Sequence, residues 1–331
     1  MVDLSFIVVS WNAKQYLMEC LKSIEKEASG FRHEIIVVDN GSSDGSVEIL
    51  QENFPGVRLI CNGMNLGFAK ANNIGIQKSQ GKYICLINSD ITLLDGCLHT
   101  MVHFMDMHPP IGILGPRILN SDFTKQDSCK YFPTLVNEFF RAIAMDTIFT
   151  GTRFNAVLKS HSSPDVTTKV DVLSGCFWMV RKEAFIQVGL FDERFFIYAE
   201  DKDLCKRFKE YGWEVVYNPA AQAIHYGGGS SANAPIRFYI EMQRANLQYW
   251  EKHFNRRGKY LYSVILFLYH VNRVLGYRLA QAIRRPNKES YILAIERSVA
   301  SLRWLFSREE GISGSCVPGC PDNEIREEQP L

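Results

Sequence analysis

Over the first ninety or so residues, short apolar runs alternate with amphipathic stretches. Leu4-Ser5-Phe6-Ile7-Val8-Val9 and Glu34-Ile35-Ile36-Val37-Val38-Asp39 read as buried strands, and Val57 to Cys61 and Tyr83-Ile84-Cys85-Leu86-Ile87 follow the same pattern. Lys14 to Lys26 carries Leu17, Cys20, Leu21 and Ile24 at helical spacing, and Ser46 to Glu52 and Phe68 to Ser79 predict two more helices. Asn40-Gly41-Ser42-Ser43-Asp44-Gly45 is a loop, with Ser43 or Asp44 as N-cap of the helix that follows. Strand, helix, strand, helix at these intervals predicts a parallel sheet with right-handed crossovers, whose ligands bind where the strands end. Ser10-Trp11-Asn12, Asp39-Asn40 and Asn88-Ser89-Asp90 fall at such ends.

Further on, Leu98 to His108 predicts a helix ended by Pro109-Pro110, and Ile113-Leu114-Gly115-Pro116 a short strand. Asn120 to Val170 has no clean period; Pro133, Gly151 and Ser160 to Pro164 suggest a long excursion. Val172 to Val180 returns as an apolar strand, Glu183 to Val188 as a short helix, Asp201 to Tyr211 as a charged helix ended by Gly212, and Trp213 to Tyr217 as a last strand. Pro235 to His253 has helical periodicity and many aromatics. Arg256-Arg257-Gly258-Lys259 then precedes the apolar Tyr260 to Leu268, followed by Arg273, Arg278, Arg284 and Arg285. A basic, aromatic, amphipathic region suits a peripheral membrane anchor. It equally suits a helical hairpin packed on its own domain or on a second copy of the chain. The polar, Pro-rich tail from Gly311 reads as disordered. No internal repeat is present.

With 331 residues, 46% of them hydrophobic, the chain can bury a substantial core. A net charge of +1 argues against a nucleic-acid binder working through bulk charge. The nine cysteines lack metal-ligand spacing and read as free thiols of a reducing compartment; Cys316 and Cys320 have no further zinc ligands nearby. The first strand begins at Leu4, so no leader is expected, and the apolar run at 260–268 is about half the ~20 residues a spanning helix needs.

The chemistry concentrates in Tyr198-Ala199-Glu200-Asp201-Lys202-Asp203, with Asn88-Ser89-Asp90 upstream and His225 downstream. Three acids in six residues raise one another's pKa unless a cation or a proton-transfer task justifies them. A bland alternative is that acids at a helix start favour its dipole, which fits Asp203 well. Asp90, at a strand end, is by itself an ordinary cap; His225, followed by Tyr226-Gly227-Gly228-Gly229-Ser230-Ser231, offers a second metal ligand and backbone N–H groups for a phosphate. Asp39-Asn40-Gly41 is ordinary turn chemistry, although the carboxylate could also accept from the ring N–H of a pyrimidine. Asn65-Leu66-Gly67-Phe68, before a helix, suits either a polar ligand or simple capping.

Taken in order, Val8-Val9-Ser10-Trp11-Asn12, Val37-Val38-Asp39-Asn40-Gly41-Ser42-Ser43-Asp44-Gly45, Asn65-Leu66-Gly67-Phe68-Ala69 and Asn88-Ser89-Asp90 resemble the nucleotide-sugar half of the inverting glycosyltransferase family 2. Ser174-Gly175-Cys176-Phe177, Gly189-Leu190-Phe191-Asp192-Glu193, Glu200-Asp201-Lys202-Asp203-Leu204 and His225 resemble its acceptor half, and the likeness is nearest to the rhamnosyltransferase-like branch. The resemblance implies an α/β, A-type glycosyltransferase fold, a mostly parallel Rossmann-like sheet flanked by helices, with a C-terminal helical extension. It implies a catalytic domain over 1–255, with a nucleotide-sugar half to about 118 and an acceptor half from about 171. The extension would cover 256–310 and the tail 311–331. It implies a nucleoside-diphosphate sugar donor, dTDP- or UDP-linked, a Mg²⁺ or Mn²⁺ ion, and a saccharide or lipid-linked glycan acceptor at the inner face of a cell membrane. By the same resemblance Asp39 would hold the base, with Ser10 and Asn12 beside the nucleotide. Asn65, Gly67, Asn73 and Ser89 would border the donor, and Asp90 and His225 would bind the metal. Asp201 would be the general base, Glu200 would orient the acceptor, and Gly175 and Trp178 would line its pocket. The family's metal motif is commonly Asp-x-Asp; here its first position is Asn88, a weaker, neutral ligand.

Two rivals remain. A nucleotide-dependent dehydrogenase shares the sheet pattern, but Ser10-Trp11-Asn12-Ala13-Lys14 lacks the Gly-x-Gly-x-x-Gly of that first turn. A weakly catalytic sugar-binding or scaffold protein on the same fold stays compatible with Asn88.

Overall fold

The computed structural model describes residues 2–143, 163–227, 235–283 and 288–307. The chain begins as expected with β1 (Leu4–Ser10), α1 (Lys14–Glu27), β2 (His33–Asp39), α2 (Ser46–Asn53), β3 (Arg58–Cys61), α3 (Phe68–Lys78) and β4 (Tyr83–Asn88). These four strands pair in parallel, in the order β3-β2-β1-β4. Alternate residues supply opposite layers. Phe6, Val8 and Val37 pack under α1, α2 and α4 (Cys97–Met107), whereas Ile7, Ile36 and Val38 pack against the small face of α3. Gly75 is that small face's closest point, since a Cβ there would lie 2.4 Å from Ile7.

Beyond β4 the sheet departs from the parallel expectation. The predicted strand Val172 to Val180 is two strands, β10 (Val172–Leu173) and β11 (Phe177–Arg181), broken by a turn at Ser174–Cys176. β11 runs antiparallel between β4 and β6 (Ile111–Leu119), which is itself longer than the four residues expected. The expected strand Trp213 to Tyr217 is in fact β12 (Glu214–His225), carried past Asn218 by an irregular register and ending beside a missed strand, β5 (Ile91–Leu93). Period-2 alternation sets which face a residue takes but not strand direction, so these reversals left no mark in the pattern.

Part of the excursion Asn120 to Val170 is ordered. It holds β7 (Lys125–Gln126), β8 (Cys129–Lys130), α5 (Leu135–Ala142) and β9 (Thr168–Lys169), and β8 pairs with β10. Residues 144–162, the Gly228–Ser231 stretch and the tail from Gly311 lie outside the described residues. Two further helices follow the expected places, α6 (Lys182–Val188) and α7 (Glu200–Glu210).

The last elements are α8 (Pro235–Ile283) and α9 (Lys288–Phe306). α8 breaks at Asn255, whose φ is 61°. Trp250 and Tyr262 stack with ring centroids 5.4 Å apart, whereas twelve residues of straight helix would separate them by about 18 Å. The chain therefore doubles back at Asn255. The two arms share a cluster of Leu247, Trp250, Tyr262 and Leu266, which Leu135 of α5 and Trp304 and Leu305 of α9 complete. The region forms a helical hairpin packed on its own chain. Among the described residues no helix is long and apolar enough to cross a membrane.

Gly67 brings the start of α3 directly against Phe196. Its φ is 87°, a Cβ there would sit 2.6 Å from Phe196 O, and the neighbouring Phe68 N donates to that same carbonyl. Gly96 has a similar φ of 78° but nothing within 4 Å of the built Cβ. Gly67→Ala should therefore cost about 2–4 kcal/mol, against about 1 kcal/mol for Gly96→Ala, because only the first adds a backbone clash to the left-handed strain. Thermal melts of both variants check the ordering; equal losses would contradict it.

Candidate functional site

The nucleotide-side residues meet at the ends of β1 and β2, where Ser10 and Asp39 are register partners. Asp39 is buried; its Oδ2 accepts from Gly41 N and Ser42 N, both at 3.0 Å, while its Oδ1 has no partner. The buried hydroxyl of Ser10 is also unpaired. Asn12, with φ 50°, accepts from Ser43 N at 2.8 Å, so the first loop is stitched to the second. Asp44 contributes to the same seam, accepting from Lys14 N and from Ser46 N; the residue before α2 is Gly45, so Asp44 caps from one position further out. Asn40 organises the next loop. It donates to Asn65 Oδ1 and Gly67 O, and accepts from Asn62 Nδ2 and Leu66 N. Asn65 also accepts from Gly67 N, so it shapes the turn.

Two of the expected site residues have their polar atoms engaged within the protein. Asn73 is buried, donates to Phe191 O and Glu193 Oε1, and accepts from Phe191 N, so both ends of its amide tie α3 to the Phe191–Glu193 segment. Trp178 is fully buried, donates to Ser174 O at 2.8 Å and stacks on Phe191; it backs the pocket without reaching it.

The metal-side residues converge through strand pairing. His225 registers with Ile91, and Tyr226 N donates to Asp90 O. His225 Nε2 lies 3.3 Å from Asp90 Oδ1, and its Nδ1 lies 2.8 Å from Gln126 Oε1. Gln126 thus holds the imidazole ring with Nε2 facing Asp90. Gln126, in the excursion, carries no sequence signal for this role. Asn88 Oδ1 is buried and unpaired, and Ser89 is buried beside it.

A cavity of about 400 Å³ opens next to Asn88. Gly175 and Cys176 form one wall, because the antiparallel pairing of β11 brings Cys176 O to Asn88 N. Tyr198 to Lys202 form another. Tyr198 and Ala199 hold φ of 70° and 64°, two successive left-handed residues that are not glycine. Strain of this kind persists only where the surroundings over-determine it. Here it turns the start of α7 so that Asp201 lines the cavity 3.8 Å from Lys130 Nζ. A Cβ on Gly175 would lie 3.5 Å from the Asp201 Cβ, so a larger residue would crowd the carboxylate. Glu200 is buried with Oε2 unpaired; burial first, and then the Asp201 charge, push it up to about 8.

Asp203, third of the acids, takes no part in the cavity. It is fully buried and meets Arg207, Lys252 and His253 at 2.9, 2.6 and 2.8 Å. Burial alone would raise its carboxyl, but the His253 hydrogen bond with the Arg207 and Lys252 charges outweighs it, and the net shift is downward. Lys252 also reaches Asp192 at 2.7 Å, joining the Gly189–Glu193 segment to the knot.

The rest of the cavity comes from residues that the pattern did not flag: Lys130 to Pro133, Glu138 and Arg141 near α5, and Trp250 and Tyr262 of α8. One signal was present. Thr134 caps α5, accepting from Asn137 N, and stands directly before an amphipathic run.

Among the described residues all cysteines are free, and no three His, Cys, Asp or Glu side chains gather as a metal cluster. Asp90 and His225 form a pair, not a group of three, at this strand end.

The family model described as Glycosyl transferase family 2 matches residues 5–189. An N-acetylglucosaminyl-diphospho-decaprenol L-rhamnosyltransferase of Mycobacterium tuberculosis is 30% identical over 212 residues, 61% of this chain and 69% of its own. Rhamnosyltransferase WbbL of Escherichia coli is 30% identical over 230 residues, 66% and 82% respectively. Among solved structures, mannosyltransferase PcManGT from Pyrobaculum calidifontis, in complex with GDP-Man and Mn²⁺, aligns with a TM-score of 0.56 at 15% identity over 94% of this chain and 90% of that one. GalNAc-T7 with UDP, GalNAc and Mn²⁺ aligns at 0.53 and 14% identity over 93% of this chain, which spans 56% of that longer chain. The expected A-type glycosyltransferase fold with a C-terminal helical extension is therefore the fold observed. The chain belongs to glycosyl transferase family 2, within its rhamnosyltransferase-like branch, and is a glycosyltransferase.

Proposed function

We propose that the protein moves rhamnose or another hexose from a dTDP- or UDP-linked donor to a hydroxyl of a saccharide or lipid-linked glycan, by one in-line displacement with inversion. The observation that carries this reading is the placement of Asp201 in a cavity that also reaches Asn88 at the donor strand end. Asp201 takes the acceptor proton as that oxygen attacks the anomeric carbon. Lys130 positions the Asp201 carboxylate, and Tyr131, Trp250 and Tyr262 supply flat apolar walls against which a sugar ring stacks. Asp39 Oδ1 and Ser10 Oγ, both buried and unpaired, suit a base ring N–H and a nucleotide oxygen.

The strand-end donors fit a divalent cation: a carboxylate, an imidazole nitrogen facing it and an unpaired amide oxygen. Asp90 and His225 would hold Mg²⁺ or Mn²⁺, with Asn88 as a third, neutral donor and the diphosphate completing the set. Bound there, the ion neutralises charge that develops on the leaving diphosphate. PcManGT with GDP-Man and Mn²⁺ supports that reading.

Membrane contact belongs to the same proposal, with the acceptor delivered at the inner face of a membrane. Tyr260, Leu261, Val264, Phe267, Leu275 and Leu279 are exposed along the second arm of α8. The boundary near residue 255 is proposed as the end of the catalytic domain because the helix breaks there, although Tyr262 beyond it still lines the cavity.

Asp201→Asn should lower kcat by about 10²–10⁴-fold with donor affinity unchanged, and Asp90→Ala or EDTA should abolish transfer. Retained transfer in Asp201→Asn would sink the assignment of the base. Glu200 offers a pH test. Burial pushes its folded pKa up to about 8, well above the ordinary glutamate value of about 4.3, so its contribution to stability is present below that ordinary value and is lost as pH rises through about 8. Glu200→Gln should remove that decline, read as melting temperature against pH; parallel curves for both proteins would contradict it. Leu261→Gln with Leu275→Gln and Leu279→Gln should release the protein from sedimenting phosphatidylcholine–phosphatidylglycerol vesicles, and undiminished sedimentation would exclude this face as the contact.

A further inference from the structure

One cluster of polar side chains in the C-terminal helices takes no part in the transfer cavity. Between Glu251 and Glu289 the sequence contains no acidic residue, while basic residues recur throughout. Arg273 lies over the rings of Tyr269 and Tyr277, 5.0 and 5.3 Å from their centroids, and donates to both hydroxyls. Arg297 of α9 lies 5.7 Å from the Tyr239 ring centroid, and its Nε is buried without a partner. Neither arginine has a carboxylate partner among the described residues.

His270 lies at the centre of this group. It is fully buried, and neither ring nitrogen has a partner. It packs edge-on against Tyr239 at 5.9 Å and Tyr269 at 5.1 Å. Burial, and then the Arg273 charge, lower its pKa to about 4. Unpaired buried nitrogens are costly, and so are half-buried guanidinium groups without counter-charge. Both arms of α8 and α9 bring these groups to one ring, Tyr239. Water would satisfy the nitrogens but not the charge. A multi-oxygen anion meets the charge and accepts from a His270 ring N–H, and from both once the ring is protonated, and guanidinium forks with tyrosine hydroxyls suit tetrahedral phosphate oxygens.

We propose that the interior of the α8–α9 bundle is a binding site for a phosphate-class oxyanion, distinct from the donor site. It adjoins the transfer cavity, since the buried Tyr262 hydroxyl senses Glu138 and Arg141 on one side and Tyr239 and Tyr269 on the other. Two sources share this chemistry. One is a free phosphate or diphosphate; the other is a lipid phosphate headgroup entering beside the exposed Leu275 and Leu279.

The test is equilibrium binding to the full chain, independent of transfer. Inorganic pyrophosphate is titrated calorimetrically in EDTA, and phosphatidylcholine vesicles are compared with and without phosphatidic acid. Arg273→Gln with Arg297→Gln should weaken binding by at least about tenfold, whereas Asp90→Ala should leave it unchanged. Pyrophosphate binding identifies a free anion; binding to phosphatidic acid alone identifies a headgroup. Arg273→Lys with Arg297→Lys keeps the charge and loses the forks, so it should weaken binding while preserving the melt if the glutamine variant fails to fold. A histidine NMR titration, with His270→Gln for assignment, should show the His270 pKa rising when the anion binds, a shift that a purely structural cluster would not give. Failure of wild type to bind either probe, or equal binding by the arginine variants, overturns the proposal.

Discussion

The active-site geometry depends on the burial of one carboxylate that is not in the cavity. Asp203 has no exposed surface, so its charge must be met within the protein, and Arg207, Lys252 and His253 converge on it. Arg207 belongs to α7 itself, while Lys252 and His253 come from the first arm of α8. Lys252 also holds Asp192, whose carboxyl burial would raise but whose bonds from Arg194 and Lys252 keep well below the ordinary range. Removing one partner of such a knot typically costs about 3–5 kcal/mol, because a buried charge is left uncompensated. With α7 so fixed, the strained Tyr198–Ala199 turn has no freedom to relax, and Asp201 stays aimed at the cavity.

That arrangement separates three neighbouring acids by environment. Asp203 is met by Arg207, Lys252 and His253 away from the cavity, Glu200 at the cavity wall is pushed up to about 8 by burial, and Asp201 lines the cavity beside Lys130. Both arms of α8 are part of this arrangement. The first supplies Lys252 and His253 to Asp203, and the stack of its Trp250 on Tyr262 of the second walls the cavity. The break at Asn255 therefore shapes the cavity, although it lies far along the chain from Asp201.

The first half of the fold was legible because its apolar periods are strong and its strands follow one another in parallel. The reversals around β11 and β12 were not, since alternation carries no direction. At the site, the order of Ser10, Asp39, Asn88, Asp90, Glu200, Asp201 and His225 was readable, but the work of each was set by distant partners. Nothing near Asp203 announces Lys252 or His253, and nothing near His225 announces Gln126. Asn73 and Trp178 show the converse: residues inside recognisable motifs whose polar atoms are consumed by Phe191, Glu193 and Ser174. Lys130 and Arg141 were hidden because the segment around them mixes short strands with a single capped helix.

The most direct measurement is the anomeric configuration of the product, read by proton and carbon NMR after transfer from a donor of defined anomer. A single displacement at one carboxylate base predicts complete inversion. A product that retains the donor's configuration would require a covalent or two-step route and would contradict the role given to Asp201.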